Sequence, residues 1–282
     1  MAFRRTERSY AAANDGEVVG RYRLLRRIGR GGTAEVFLAE DIARGARVAI
    51  KRLSDPASGR GAWLAHEARI AGRLDHRAIV RVLDFVSDGA VDHIVMELVD
   101  GPSLRELCAR GPMAIGDVLR VARELVLGLD HAHGHGVVHR DIKAENVLLA
   151  GDGQPKISDF GIAASLSFAA AETLDPRDAL GTSRTMSPEQ IRGDAVDARS
   201  DLFSLGVMLY ELLTGTSPFA ADSDAVTRLR VLCDEPPRVR DLIAGIAPAV
   251  CDVISHLLEK APAARPQTAR DVLARLPAAG AR

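Results

Sequence analysis

The chain has 282 residues, 47% of them hydrophobic and 27% charged, which suits one or two soluble domains sharing a large core. A formal net charge of −1 gives no reason to expect nucleic acid or an acidic membrane as the main partner. Cys108, Cys233 and Cys251 lie far apart without metal-ligand spacing, so they read as reduced thiols of a cytoplasmic protein. No apolar run is long enough to cross a bilayer, and the N-terminus lacks a hydrophobic signal core. Of the 37 Lys and Arg residues only Lys51, Lys143, Lys156 and Lys260 are lysines. Positions that keep Lys in such an Arg-rich chain are candidates for a compact point charge.

After an aperiodic tail, Tyr22-Arg23-Leu24-Leu25 opens a predicted strand. It runs into Ile28-Gly29-Arg30-Gly31-Gly32-Thr33-Ala34-Glu35-Val36, whose glycines suit a tight turn that offers N–H groups to phosphate. A Gly-x-Gly-x-x-Ala pattern also fits a dinucleotide turn, which needs a helix next and then an acid about twenty residues on. A hairpin follows instead: strand Val36–Ala39, a turn at Ala43-Arg44-Gly45, and strand Val48–Lys51. An amphipathic helix is predicted over Trp63–Leu74, with Glu67 on it, and strands over Ile79–Asp84 and Asp92–Glu97. Asp100-Gly101-Pro102 breaks the pattern and marks a domain boundary.

From Ser103 the periodicity is helical. Ser103-Leu104-Arg105-Glu106 is a capping-box pattern, and Val118–His133 is a long helix with Val121, Leu125 and Leu129 on its apolar stripe. His131, His133, His135 and His139 straddle a helix end and a glycine turn without a shared face, so they read as structural and not as metal ligands. Further helices are expected from Arg199 to Leu213, and from Ala225, Pro248 and Thr268.

His139-Arg140-Asp141-Ile142-Lys143-Ala144-Glu145-Asn146 carries the densest chemistry. An isolated Asp-x-Lys would most often be surface charge. A second acid, in Lys156-Ile157-Ser158-Asp159-Phe160-Gly161, follows at a distance that fits a hairpin returning beside the first loop. Asp141, Asp159 and Asn146 would then converge as oxygen donors of the type Mg²⁺ prefers, completed by substrate phosphates.

Together these segments resemble the protein kinases, in the form carried by bacterial-type Ser/Thr kinases. The resemblance implies an α+β, two-lobed fold: a flexible tail over 1–19, a small antiparallel-sheet lobe with hinge over 20–100, a larger helical lobe over 101–276, and a short tail over 277–282. It implies that Asp141 is the base, Lys143 offsets charge at the γ-phosphoryl, and Lys51, fixed by Glu67, holds the α- and β-phosphates of ATP. Asn146 and Asp159 would hold Mg²⁺. Ile28, Gly29, Arg30, Gly31, Gly32, Thr33, Ala34, Val36, Ala49, Met96, Glu97, Val99 and Leu148 would line the nucleotide site, with Met96 as gatekeeper and Glu97–Val99 as hinge. His139 would support Phe160, Asp201 would brace the catalytic-loop backbone, and Glu189 would pair with Arg265.

The implied partners are a protein substrate and a transient homodimer for autophosphorylation. Residues 162–177 would form an activation segment whose phosphate, with Thr173 as the first candidate, pairs with Arg140, while Thr182 contacts Asp141 and Lys143. Departures from the family pattern are Ala34 for the third loop glycine, Ala144 for Pro, and Ser183 and Thr185 for Pro and Tyr. Alternatives are a pseudokinase scaffold and a small-molecule kinase of related fold. The intact Lys51, Glu67, Asp141, Asn146 and Asp159 weigh against the first, and Met186-Ser187-Pro188-Glu189 with Asp201 against the second.

Overall fold

The structure, a computed structural model, describes residues 16–30, 34–53, 71–88, 91–160 and 183–277. The chain divides into two compact units, one made of the chain up to Arg73 with Arg81–Leu98, the other of Leu74–Val80 with the chain from Val99.

The first unit is an antiparallel sheet of β1 (Val18–Val19), β2 (Tyr22–Arg30), β3 (Ala34–Asp41), β4 (Ala46–Leu53), β5 (Val82–Asp88) and β6 (Val91–Glu97), in the order β1-β2-β3-β4-β6-β5. The predicted β3–β4 hairpin forms. Asp41 closes its turn by accepting the Ala43 N–H on its side chain at 3.1 Å and the Gly45 N–H on its carbonyl at 2.8 Å. Strand alternation sends Phe37, Ala39, Val48, Ile50 and Val95 to one face, where they bury against Val19, Tyr22 and Leu24. The opposite face carries two cross-strand rows, Gly29–Val36–Lys51–Ile94 and Leu38–Ala49–Met96. The β4 lysine therefore stands on the face away from that apolar cluster.

One strand differs from its prediction. β5 begins at Val82, not Ile79. Ile79 forms a parallel bridge with Ile157, Val80 N–H donates to the Ile157 carbonyl at 2.8 Å, and Ile157 N–H donates to the Ala78 carbonyl at 2.8 Å. The apolar pair 79–80 thus belongs to the second unit, drawn there by backbone pairing that a period-two pattern cannot distinguish from a longer β5. Residues 63–70 of the predicted helix, Glu67 among them, lie outside the described residues.

The second unit contains α1 (Leu104–Cys108), α2 (Ile115–Gly134), α3 (Pro188–Arg192), α4 (Ala198–Thr214), α5 (Asp224–Cys233), α6 (Val239–Leu242), α7 (Pro248–Leu257) and α8 (Ala269–Arg275), plus a hairpin of β7 (Val147–Leu149) and β8 (Pro155–Ile157). The Ser103–Glu106 capping box starts α1 as its sequence implies. α4 is the central helix, buried from Ser200 to Tyr210. It lies against α7 closely enough that a Cβ on Gly206 would sit 2.7 Å from Leu257 Cβ. Gly101 is constrained more severely: a Cβ there would fall 1.7 Å from the Leu149 carbonyl oxygen, so only glycine lets β7 pass. Lys260, one of the four lysines, sits at the C-terminal end of α5. Its Nζ lies 3.9 Å from the Phe219 ring centre and donates to the Val231 carbonyl at 2.8 Å.

Candidate active site

The site of the second unit is built on a loop between α2 and β7. Asp201, 0% exposed at the start of α4, accepts the His139 N–H on Oδ2 at 2.8 Å and the Arg140 N–H on Oδ1 at 2.7 Å. His133, near the end of α2, places its Nε2 2.8 Å from the same Oδ2. A buried carboxylate is tolerable because its oxygens are satisfied this way, and the arrangement fixes the loop to two helices. Arg140 consequently holds φ at +67°, a left-handed conformation that costs a non-glycine residue about 1–2 kcal/mol.

His139 is fully buried and links the loop to the strand that follows. Its Nδ1 accepts the Asp141 N–H at 3.1 Å, so the ring proton sits on Nε2, which donates to the Ser158 carbonyl at 2.8 Å. The ring meets Phe160 edge-on at 4.7 Å between centres, which is the support expected of His139. His131 and His135 pack ring against ring at 4.4 Å, and His135 Nδ1 contacts the His131 carbonyl at 2.8 Å.

Asp141 projects from this frame. Its Oδ2 receives Lys143 Nζ at 2.8 Å and Asn146 Nδ2 at 2.9 Å, and the same Nδ2 lies 2.9 Å from the Asp141 carbonyl. The amide of Asn146 is thereby oriented: its NH₂ faces Asp141, and its carboxamide oxygen is the donor that remains for a cation. Asn146 also accepts the Ser158 N–H on its main-chain carbonyl at 2.8 Å, which sets Asp159 directly after the residue paired to it. Asp159 holds φ at +65°, and its Oδ2 lies 3.1 Å from Ser158 Oγ. Two adjacent hairpin segments therefore present Asp141, Lys143, Asn146 and Asp159 from a backbone strained at Arg140 and Asp159.

Gly29, Val36, Ala49, Lys51 and Met96 sit on the sheet face opposite the apolar cluster of the first unit, with Ile28 and Arg30 on β2 and Ala34 opening β3. Glu97 closes β6 and donates its N–H to the Arg81 carbonyl at 2.9 Å. Val99 opens the second unit, and Leu148 of β7 bridges to Ser103. Gly31, Gly32, Thr33, Glu67, Thr173 and Thr182 lie outside the described residues. Among the described residues no group of three or more His, Cys, Asp or Glu is arranged to hold a metal ion. The donors present for a divalent cation are a carboxylate and a carboxamide oxygen, both hard ligands.

Behind the loop lies a closed ion pair. Arg265 meets Glu189 through two parallel bonds of 2.7 and 2.8 Å, Ser200 Oγ donates to Glu189 at 2.5 Å, and the guanidinium stacks 4.9 Å from Phe203. Burial opposes ionisation of Glu189, but the Arg265 and Ser200 hydrogen bonds outweigh it, so its pKa lies below the ordinary carboxylate value. Ser183 and Thr185 are buried. Ser183 Oγ accepts from Arg228 Nε at 3.3 Å, and the Thr185 carbonyl accepts from Ser204 Oγ at 2.6 Å. Sequence reasoning missed Gln190, which contacts the Arg140 carbonyl. The signal was present, since Ser187-x-x-Gln190 is a capping-box pattern.

An antiparallel sheet unit with a lysine on an interior strand, followed by a helical unit that braces an Asp-x-Lys loop with a buried helix-start Asp, has the architecture of the protein kinases. The chain belongs to that family: the protein kinase domain model matches residues 22–275. It is 39% identical over 249 residues to serine/threonine-protein kinase PknL of Mycobacterium tuberculosis, an alignment covering 87% of this chain and 62% of that protein. Identity to serine/threonine-protein kinase PrkC of Bacillus subtilis is 37% over 259 residues, covering 90% of this chain and 40% of that protein. The crystal structure of the Mycobacterium tuberculosis PknI kinase domain superposes with a TM-score of 0.75 at 25% identity, covering 94% of this chain and 98% of that one. The curated relatives are thus bacterial Ser/Thr kinases longer than the matched region. Among the described residues no helix is long and apolar enough to cross a membrane.

Proposed function

We propose that this chain transfers the γ-phosphoryl group of ATP to Ser and Thr hydroxyls of protein substrates. The reading rests on one observation above the others: the Asp141 carboxylate is held through Oδ2 by Lys143 and Asn146, in a loop whose backbone is fixed by Asp201. Asp141 Oδ1 would accept the hydrogen bond of the attacking hydroxyl and take its proton, and Lys143 would neutralise charge growing on the transferred group. Lys51, paired with Glu67, would hold the α- and β-phosphates, and the glycine loop would cover them. Asn146 and Asp159 would hold Mg²⁺, which would neutralise phosphate charge. Asp141-x-Lys143 favours Ser/Thr over Tyr acceptors by resemblance to the family.

The same reading places the protein in the cytoplasm, with the 20–100 and 101–276 segments as its two lobes and a transient homodimer supporting autophosphorylation between Ser165 and Ser183. Support for the enzyme over a scaffold comes from the complete set of catalytic residue types in this chain. The test is transfer of label from ATP to a generic basic protein, with Asp141→Asn as control. Label in the parent and little in the control supports the reading; equal labelling in both overturns it.

A further inference from the structure

The peptide unit joining Arg140 to Asp141 is held at both ends by side chains. Its N–H, on Asp141, donates to His139 Nδ1 at 3.1 Å. Its carbonyl, on Arg140, accepts from Gln190 Nε2 at 2.8 Å. Gln190 lies fifty residues further on, in α3, and its amide orientation is determined from the other side: Oε1 accepts the Ser187 N–H at 2.9 Å as half of the α3 capping box. Rotating the amide would set an oxygen against the Arg140 carbonyl and an NH₂ against the Ser187 N–H, so only one orientation serves both contacts. The residue whose carbonyl is held is the one at φ +67°. A left-handed non-glycine residue persists only where its surroundings enforce it, and the orientation of the peptide that follows decides where the Asp141 side chain points.

We propose that Gln190 is a positioning residue for Asp141. It locks the Arg140–Asp141 peptide against the start of α3, and this lock aims the base. The inference rests on the phosphotransfer reading above for its kinetic consequence, but the lock itself is a property of the fold.

Two variants separate positioning from helix capping. Gln190→Glu keeps an acceptor for the Ser187 N–H and loses the donor to Arg140; Gln190→Met loses both and adds no charge. If Gln190 positions Asp141, both variants lower kcat by about 10- to 100-fold with KM for ATP unchanged, measured where each variant is fully folded. If its role is only the cap, Gln190→Glu matches the parent in kcat and the proposal falls. Hydrogen exchange over residues 138–142 provides a readout independent of catalysis. Both variants should expose the Asp141 amide faster than the parent, and unchanged exchange in both overturns the lock. A parent that transfers no phosphate yet shows the exchange difference would overturn the phosphotransfer reading and leave the lock standing.

Discussion

At Glu189 every hydrogen-bonding group ends on a partner inside the protein. The five N–H groups of Arg265 go to the two Glu189 oxygens and to the carbonyls of Glu259, Arg199 and Lys260. At Asp141 one carboxylate oxygen takes both Lys143 and Asn146. Both clusters are anchored by the first turn of α4, through Ser200 in one case and Asp201 in the other. A closed network of buried charge rigidifies the fold around it, whereas a carboxylate held from one side keeps capacity for a substrate. The first cluster is closed on all sides and the second leaves one carboxylate oxygen uncommitted to Lys143 and Asn146, although one helix supports both.

The largest expected effect breaks the second without the first. Asp141→Asn should lower the rate of phosphate transfer by about 10²–10⁴-fold, the range for removing a general base, and leave the melting temperature nearly unmoved because the side chain is partly exposed. A large loss of melting temperature would show that Asp141 is structural. The reciprocal change is Arg265→Ala, which strands the buried Glu189 and should cost about 3–5 kcal/mol in equilibrium denaturation. A denaturation midpoint equal to the parent's would remove the distinction between the clusters.

How far the two clusters could be read from sequence follows from the range of their contacts. That Asp141, Lys143 and Asn146 share one loop and Asp159 follows the returning hairpin was legible from spacing, whereas the roles expected of them came from family resemblance. The Glu189–Arg265 pair came from family resemblance, since nothing local links residues 76 apart. Gln190 was invisible as a partner of Arg140, because its contact depends on α3 folding back over the loop. The capping box announced only half of its role. Ile79 and Val80 failed differently: their apolar alternation continues into Val82 without a break, and only backbone pairing with Ile157 assigns them elsewhere. A period-two pattern carries no information on which strand a short apolar pair will join.

Because α4 supports both clusters, shifting it tests whether they are coupled. Gly206→Ala adds a Cβ 2.7 Å from Leu257 Cβ, so α4 or α7 must move. Overpacking of this kind costs about 1–3 kcal/mol, less the helix propensity that alanine returns. The expected result is a lowered denaturation midpoint with phosphate transfer per folded molecule retained. Loss of transfer at temperatures where the variant is fully folded would show that Asp201 moves with the helix and that the two clusters are one unit.

The smallest effect concerns acid. Glu189 is held below its ordinary pKa of 4.5, against its burial, by Arg265 and Ser200. A depressed carboxylate pKa means that the unfolded chain binds the proton first as pH falls, so this contribution to stability is complete above about 4.5 and is lost as pH drops through the folded value. Other acids titrate in the same window, including Asp197 and Asp271, which are also depressed. The difference between the parent and Ser200→Ala isolates Glu189, because that variant removes one of the bonds that lowers its pKa. The parent should be more stable than Ser200→Ala at pH 7, and the gap should narrow as pH falls below 4.5. A gap that is constant from pH 7 to pH 3 would mean that Ser200 contributes packing alone and that the closed cluster owes its ionisation to Arg265.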